Sequence, residues 1–210
     1  MASVNSAGEA RKAVIATHNA HKVEEISRIL SPLGFDFVSL EECGDYTEPV
    51  EDADDFEGNA RIKAKAAVEN TGLPALADDS GLVVDALGGA PGVFSARYAS
   101  EDGQDADDAA NREKLLRELK NVPDEERTAR FVCALVFVDT DGSEIVAQGT
   151  CEGKIGYEGR GENGFGYDPL FLADEAHGMT TAEIDPAEKD AISHRGAALR
   201  AFVKAFNERK

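Results

Sequence analysis

An α/β domain built on a mixed sheet is the fold class this sequence predicts, on three observations. Short apolar runs alternate with stretches of helical spacing through roughly the first third of the chain. Two apolar strands joined by a Thr-Asp-Gly turn then read as a hairpin, which makes part of the sheet antiparallel. A capped helix closes the chain. With 210 residues, 42% of them hydrophobic and 30% charged, the chain suits one generous domain or two closely joined lobes of ordinary globular composition.

Each element has its own local signal. "KAVIAT" (Lys12 to Thr17) reads as a buried strand. In "HKVEEISRIL", Val23, Ile26, Ile29 and Leu30 recur at helical spacing, and Ser31-Pro32 stops the helix. "FDFVSL" is a second strand, followed by the acidic loop "EECGDYTEPVEDADD". Asp55 as N-cap and Gly72 as the residue past the end bound the next helix. "PALAD" is a strand running into "ADDSG", and "GLVVDALGGAPGVFSARY" continues as short extended pieces broken by Gly and Pro. After the solvated loop "SEDGQDADD", "AANREKLLRELK" is helical. "ARFVCALVFVD" and "EIVAQGTC" are the hairpin strands. Asp185, Pro186 and Glu188 start a helix as cap, first-turn proline and capping-box acid, and Ser193 caps the last helix, whose apolar positions include Leu199, Phe202, Val203 and Phe206.

Composition excludes several functions. The net charge is −19, from 41 acidic against 22 basic residues, so a long nucleic acid is not an expected partner. The longest apolar stretch, Phe131 to Val138, is too short to span a bilayer, and the first twelve residues carry no signal-peptide core. Cys43, Cys133 and Cys151 are scattered without a CxxC spacing, which fits a reducing, cytoplasmic compartment and three small buried hydrophobes.

Against this acidic background, five stretches carry chemistry. "THNAHK" (Thr17, His18, Asn19, Ala20, His21, Lys22) lies between a strand and a helix, where free backbone N–H groups and the positive helix end favour an anion. It lacks the GxxxxGK[ST] pattern of a Walker loop. Glu51 precedes a helix that carries Asn59 and Lys63 four apart on one face, a spacing that also fits an ordinary solvated helix. "GRGENG" matches GxGxxG only formally, since no apolar strand feeds it and no helix start follows. Its glycines instead let a loop lie close to a flat ligand, with Phe165 or Tyr167 as the stacking face. "KDAISHR" gathers Lys189, His194 and Arg195 at a helix start, where three cations are unfavourable unless an anion or acceptor is bound. Finally, Asp78 and Asp79 are adjacent carboxylates ending an apolar run, and burying them requires something positive. A polyphosphate carrying a divalent metal reconciles these features. Mg²⁺ needs one or two carboxylates and completes its shell from water and phosphate.

These stretches resemble a known family. "THNAHKVEEI", "FEGNARIKA", "LADDSGLVVDALGGAPGVFSARY", "GFGYDPLF" and "KDAISHRGAAL" occur in the order found in the inosine/xanthosine triphosphate pyrophosphatase family, the Ham1/RdgB-type non-standard purine nucleoside triphosphate pyrophosphatases, from Val14 to Leu199. The resemblance implies an α/β fold of two lobes around a long mixed sheet with flanking helices and the site in the cleft (Maf/Ham1-like). It implies one nucleoside-triphosphate pyrophosphatase domain over residues 1–210, with residues 1–11 a flexible extension. The implied activity is hydrolysis of ITP, dITP or XTP to the monophosphate and pyrophosphate, with Mg²⁺, in a cytoplasmic homodimer. By motif, Thr17 to Lys22 bind the phosphates, Glu51 and Asp79 hold the metal with Asp78 as a further candidate, and Asp79 is the catalytic base. Ser80 touches substrate, and Phe165, Gly166, Tyr167, Asp168, Lys189, His194 and Arg195 hold the nucleotide, His194 and Arg195 being donors suited to a 6-oxo purine. His18, Asp55 and Gly58 stand where many members have glycine, threonine and glutamate.

The rival readings are a Maf-like pyrophosphatase with another base preference, a nucleotide sensor without turnover, a serine hydrolase using Ser80 and a phosphoaspartate phosphatase. "SHR" and "FGYDP" weigh against the first, and intact Glu51 and Asp79 against the second. The GxSxG elbow that a serine hydrolase requires is missing, and "DDSG" does not give the DxD pattern of a phosphoaspartate phosphatase.

Overall fold

The computed structural model describes residues 11–30, 35–44, 46–101 and 103–209. Strand β1 (Arg11–Ile15) leads through a turn into α1 (Ala20–Leu30) and then β2 (Phe35–Ser39). Helix α2 (Phe56–Thr71) precedes the long β3 (Ala75–Val84), and α3 (Asp108–Glu118) precedes the hairpin β4 (Thr128–Val138) and β5 (Glu144–Ile155). Short β6 (Phe171–Ala173), α4 (Pro186–Ile192) and α5 (His194–Glu208) finish the chain.

The caps predicted from sequence form. Asp55 Oδ1 accepts from Gly58 N at 2.6 Å, and Gly72 closes α2 with φ of 67°. Asp185 Oδ1 accepts from Ala187 N at 2.8 Å, and Ser193 Oγ from Gly196 N at 3.0 Å. The hairpin registers Val138 against Glu144 and runs to Thr128 against Lys154.

Three expectations change. Residues 81–84 are not broken pieces but the continuation of β3, paired with β4 from Gly81↔Val132 to Val84↔Ala129, because β4 offers a continuous ladder that outweighs a single glycine. Of the expected N-terminal extension, Arg11 belongs to β1, while residues 1–10, like the Ser31-Pro32 helix stop, lie outside the described residues. Cys43 is exposed, whereas Cys133 and Cys151 are buried, and burial pushes both of their thiols up to about 12.

The six strands form one mixed sheet in the order β2-β1-β3-β4-β5-β6. β1 pairs parallel with both β2 and β3, and the remaining pairs are antiparallel. The first half of the sheet has a helix on each face. Ala75 and Ala77 of β3 pack with Ala60, Ala64 and Ala67 of α2. Leu76 packs on the opposite face with Ile26 of α1 and Leu199 and Phe202 of α5. A third core, around Leu82, Val84, Phe131, Ile155 and Phe171, lies beyond them. The cores therefore divide along β3 between Ala77 and Leu82, at the Asp78–Gly81 stretch, which is the junction of two lobes.

α5 lies tight on β5. A Cβ at Gly149 would sit 2.3 Å from His194 O and 2.4 Å from Ala198 N, both backbone atoms. Gly149→Ala is expected to push α5 off the sheet and cost about 1–3 kcal/mol by overpacking. That is a fall in Tm of roughly 2–12 °C for a chain of this length. A thermal melt checks it, and an unchanged Tm would show that α5 can shift at no cost.

Candidate active site

β1 is where the sheet changes direction: α1 carries the chain out to β2 on one side, and β3 enters on the other. In open α/β sheets the crevice at the carboxyl end of such a strand is the usual place for a ligand. Here β1 stops early. Its pairing with β3 ends at Ile15↔Leu76 and at Ala16 N, which donates to Leu76 O at 2.8 Å. The next β3 residues, Asp78 to Gly81, have β4 on one side only, and the Thr17–Lys22 turn lies beside the free edge.

Strand alternation resolves the adjacency of the two aspartates, since neighbours on a strand point to opposite faces. Asp79 shares the face of Ala75 and Ala77, toward α2. Its Oδ1 is 3.3 Å from Lys63 Nζ, which is also 3.0 Å from Glu51 Oε2, and Asn59 Nδ2 donates to Asp79 Oδ2 at 3.3 Å. Burial raises the Asp79 carboxyl above its ordinary value, against the opposing pull of Lys63 and Lys22. Lys63 stays charged: burial disfavours its ammonium, but Asp79 and Glu51 more than offset that.

Asp78 and Ser80 point the other way. Asp78 is fully buried, with Lys22 Nζ at 3.1 Å and Arg195 Nη2 at 3.2 Å from Oδ2, and Ser80 Oγ donates to the same oxygen at 3.1 Å. Burial alone would push this carboxyl up, but Lys22, then Arg195 and Lys63, hold it well below the usual carboxylate range. Asp78 is thus corrected as a metal candidate: its face, its ion pairs and its complete burial remove it from the Glu51–Asp79 pair. The positive partner it needs is supplied by the protein.

Glu51 and Asp79 fit a divalent cation. They are hard oxygen donors, they already converge on one ammonium, and two carboxylates suffice for Mg²⁺. Among the described residues no group of three or more His, Cys, Asp or Glu is placed to hold a metal ion, so the remaining ligands would be water and phosphate.

The phosphate-binding candidates divide. Thr17 Oγ1 accepts from Asn19 N at 3.2 Å, and Asn19 Oδ1 accepts from Lys22 N at 3.2 Å, so both side chains shape the turn. Ala20 is the first residue of α1. His18 is exposed, 3.8 Å from Glu48. His21 stacks on Phe165, with centroids 5.5 Å apart and planes at 12°.

The nucleotide-holding candidates divide as well. Phe165 is half-buried, and Lys189 Nζ lies 5.2 Å from its ring centroid. Gly166 takes φ of 60°, its N–H donating to Asp108 and its carbonyl accepting from Arg112. Tyr167 is corrected as a stacking face: it is buried in the core, and its hydroxyl donates to Ser95 O at 2.8 Å. Asp168 is buried and takes Lys189 Nζ at 2.7 Å, Phe165 N at 2.9 Å and Thr181 Oγ1 at 2.8 Å. His194 is buried against Phe131, at 4.8 Å and 15°; burial, then Arg195 and Lys189, pushes its pKa far below the ordinary value. The three cations expected at this helix start are therefore two. Arg195 is 1% exposed and donates to Asp78, to Ser80 Oγ at 2.9 Å and to Glu25. Its guanidinium is occupied by carboxylates and a hydroxyl rather than presented to a base.

Two site residues lacked any role in the sequence reading. Lys63 was legible only as one face of a charged helix. Glu25, which meets both Arg195 and Lys189, belongs to none of the five stretches that carry chemistry in the sequence, although its spacing of three from Lys22 puts the two on one side of α1.

Comparison with known proteins places this arrangement. A dITP/XTP pyrophosphatase of Haemophilus influenzae is 52% identical over 191 residues, covering 90% of this chain and 95% of the relative. The solved structure of a HAM1 protein from Coxiella burnetii superposes with a TM-score of 0.84 at 42% identity, over 94% of this chain and 99% of that one. A nucleoside-triphosphatase / dITP/XTP pyrophosphatase from Mycobacterium abscessus gives a TM-score of 0.73 at 47% identity, over 90% and 96%. The model of the Ham1 family matches residues 13–205, and the chain belongs to the Ham1 family.

Proposed function

We propose that this protein hydrolyses non-standard purine nucleoside triphosphates (ITP, dITP, XTP) to the monophosphate and pyrophosphate, with Mg²⁺. The observation that carries the reading is the Glu51–Lys63–Asp79 bridge beside the α1 turn, in a chain whose relatives bear the name dITP/XTP pyrophosphatase. The α1 N-terminal amides, Lys22 and Lys63 gather the phosphate oxygens. Asn59 holds the Asp79 carboxylate, whose basicity burial has raised, and Asp79 accepts a proton from the attacking water. The bond between the α- and β-phosphates breaks, and pyrophosphate leaves. When bound at Glu51 and Asp79, a divalent ion supplies charge neutralisation on the phosphate oxygens.

A homodimer and a cytoplasmic location belong to the same reading and rest on the family resemblance; light scattering on the purified chain checks the dimer. Among the described residues no helix is long and apolar enough to cross a membrane.

The test is a product-resolved screen over nucleoside triphosphates. Pyrophosphate and monophosphate are expected from ITP, dITP and XTP, and chelation with EDTA is expected to abolish release. Orthophosphate as the first product, or full activity in EDTA, would overturn the assignment.

A further inference from the structure

We propose that His21 and Phe165 are the two jaws of a clamp that closes on the flat faces of the substrate's base. This rests on the reading of the site as a nucleotide site and moves His21 from phosphate binding to base binding. Consecutive residues of a helix diverge by about 100°. Lys22 therefore turns to Asp78, while His21 turns across the cleft to the 163–168 loop.

The two rings lie nearly parallel, 12° apart, with 5.5 Å between centroids. They stand at a cavity of about 150 Å³, which Glu25, Asn163, Ile184 and Lys189 also line. Ligand pockets usually run to about 300–1,000 Å³. A third flat ring in van der Waals contact with both, at about 3.5 Å on each side, needs about 7 Å between the planes. The stacked pair is thus the closed state, and the jaws part when a base enters.

One jaw is built to move. Phe165 sits between Gly164 and Gly166, both left-handed at φ of 75° and 60°. Asp168 anchors the loop through Phe165 N and so leaves the ring as the part that swings. The other jaw is fixed on the second residue of α1, next to the turn that binds phosphate. Base and phosphates are then registered by one rigid element. Stacking on two faces does not depend on the base's edge groups, so the clamp gives affinity for any purine and leaves edge selection to other residues.

Pyrophosphate release and fluorescence together test the clamp. In wild type, release from ITP establishes the nucleotide reading; no release from any purine triphosphate would sink that reading independently of the clamp. His21→Ala is expected to raise KM for ITP about five- to tenfold while kcat falls less than threefold. His21→Phe should return KM to within about twofold, because a flat face and not an imidazole nitrogen is required. The chain contains no tryptophan, so His21→Trp introduces a single indole. Saturable quenching of that indole by IMP, but not by pyrophosphate alone, is expected. The clamp is overturned if His21→Ala leaves KM unchanged or lower, if the loss falls on kcat with KM intact, or if the indole responds to pyrophosphate and ignores IMP. Position 21 is an exposed helical site where Ala is the better helix former, and matching thermal melts confirm that each variant is folded.

Discussion

Asp79→Asn is expected to fold like the wild type and to lose turnover by about 10²–10⁴-fold. The amide has the same shape as the carboxylate and keeps an acceptor oxygen for Lys63, while its NH2 group gives up the hydrogen bond that Asn59 Nδ2 donates to Oδ2. It has neither the charge that holds a divalent ion nor the basicity that burial has raised. The variant also leaves Lys63 its second carboxylate, Glu51, at 3.0 Å, so no charge is stranded. A kcat measured by pyrophosphate release, beside a thermal melt, checks both halves. If the variant keeps more than about a tenth of the wild-type kcat, Asp79 is not the base.

Arg195→Ala carries the largest expected loss of stability. It removes one of the two cations that touch a fully buried carboxylate, and it takes from Glu25 the guanidinium that meets it alongside Lys189. Breaking a buried pair from one side costs about 3–5 kcal/mol, because the remaining charge stays desolvated. For a chain of this length that is a Tm fall of roughly 6–20 °C. Adding Asp78→Asn to this variant should restore part of the loss, since the stranded charge is then gone. If the double variant is no more stable than the single one, packing and not charge is what Arg195 supplies.

The same pair sets a pH dependence. The folded Asp78 carboxyl is held below its ordinary value, so the stability it contributes is present above its unfolded pKa, near 3.9, and is lost as pH falls below that. Without Arg195 the folded carboxyl moves back up. Acid unfolding of Arg195→Ala should therefore begin at a higher pH than in wild type, which circular dichroism against pH would show.

Much of the fold was legible because its signals are short. Asp55, Gly72, Asp185 and Ser193 act within a few residues of themselves, and each caps as its local pattern indicates. The turn at 139–143 joins β4 and β5 as its Thr-Asp-Gly pattern predicts. The length of β3 was not legible, because Gly81 and the glycines after Leu87 look locally like breaks. Only the presence of β4 alongside decides that 81–84 remain strand. Gly58 shows the same limit. A Cβ there would meet Ala53 Cβ at 2.5 Å and Asp55 Oδ1 at 3.1 Å, so its smallness belongs to the loop folded over the start of α2.

The sequence by itself determined the stretches that meet at the end of β1, an acidic pair on a strand, a turn before a helix and a basic cluster at the last helix, but not Lys63 and Glu25, which join them only in the fold. Tertiary structure decided what each one faces. Asp78 and Asp79 are chemically identical neighbours, yet strand alternation sends one to Arg195, 117 residues away, and the other to Lys63 and Glu51. His194 looked like a cation until burial on Phe131 made it neutral, and Tyr167 looked as available as Phe165 until the core took it. A side chain's charge state and accessibility depend on solvent exclusion and on partners brought in by the sheet's register, and neither is a property of the local sequence.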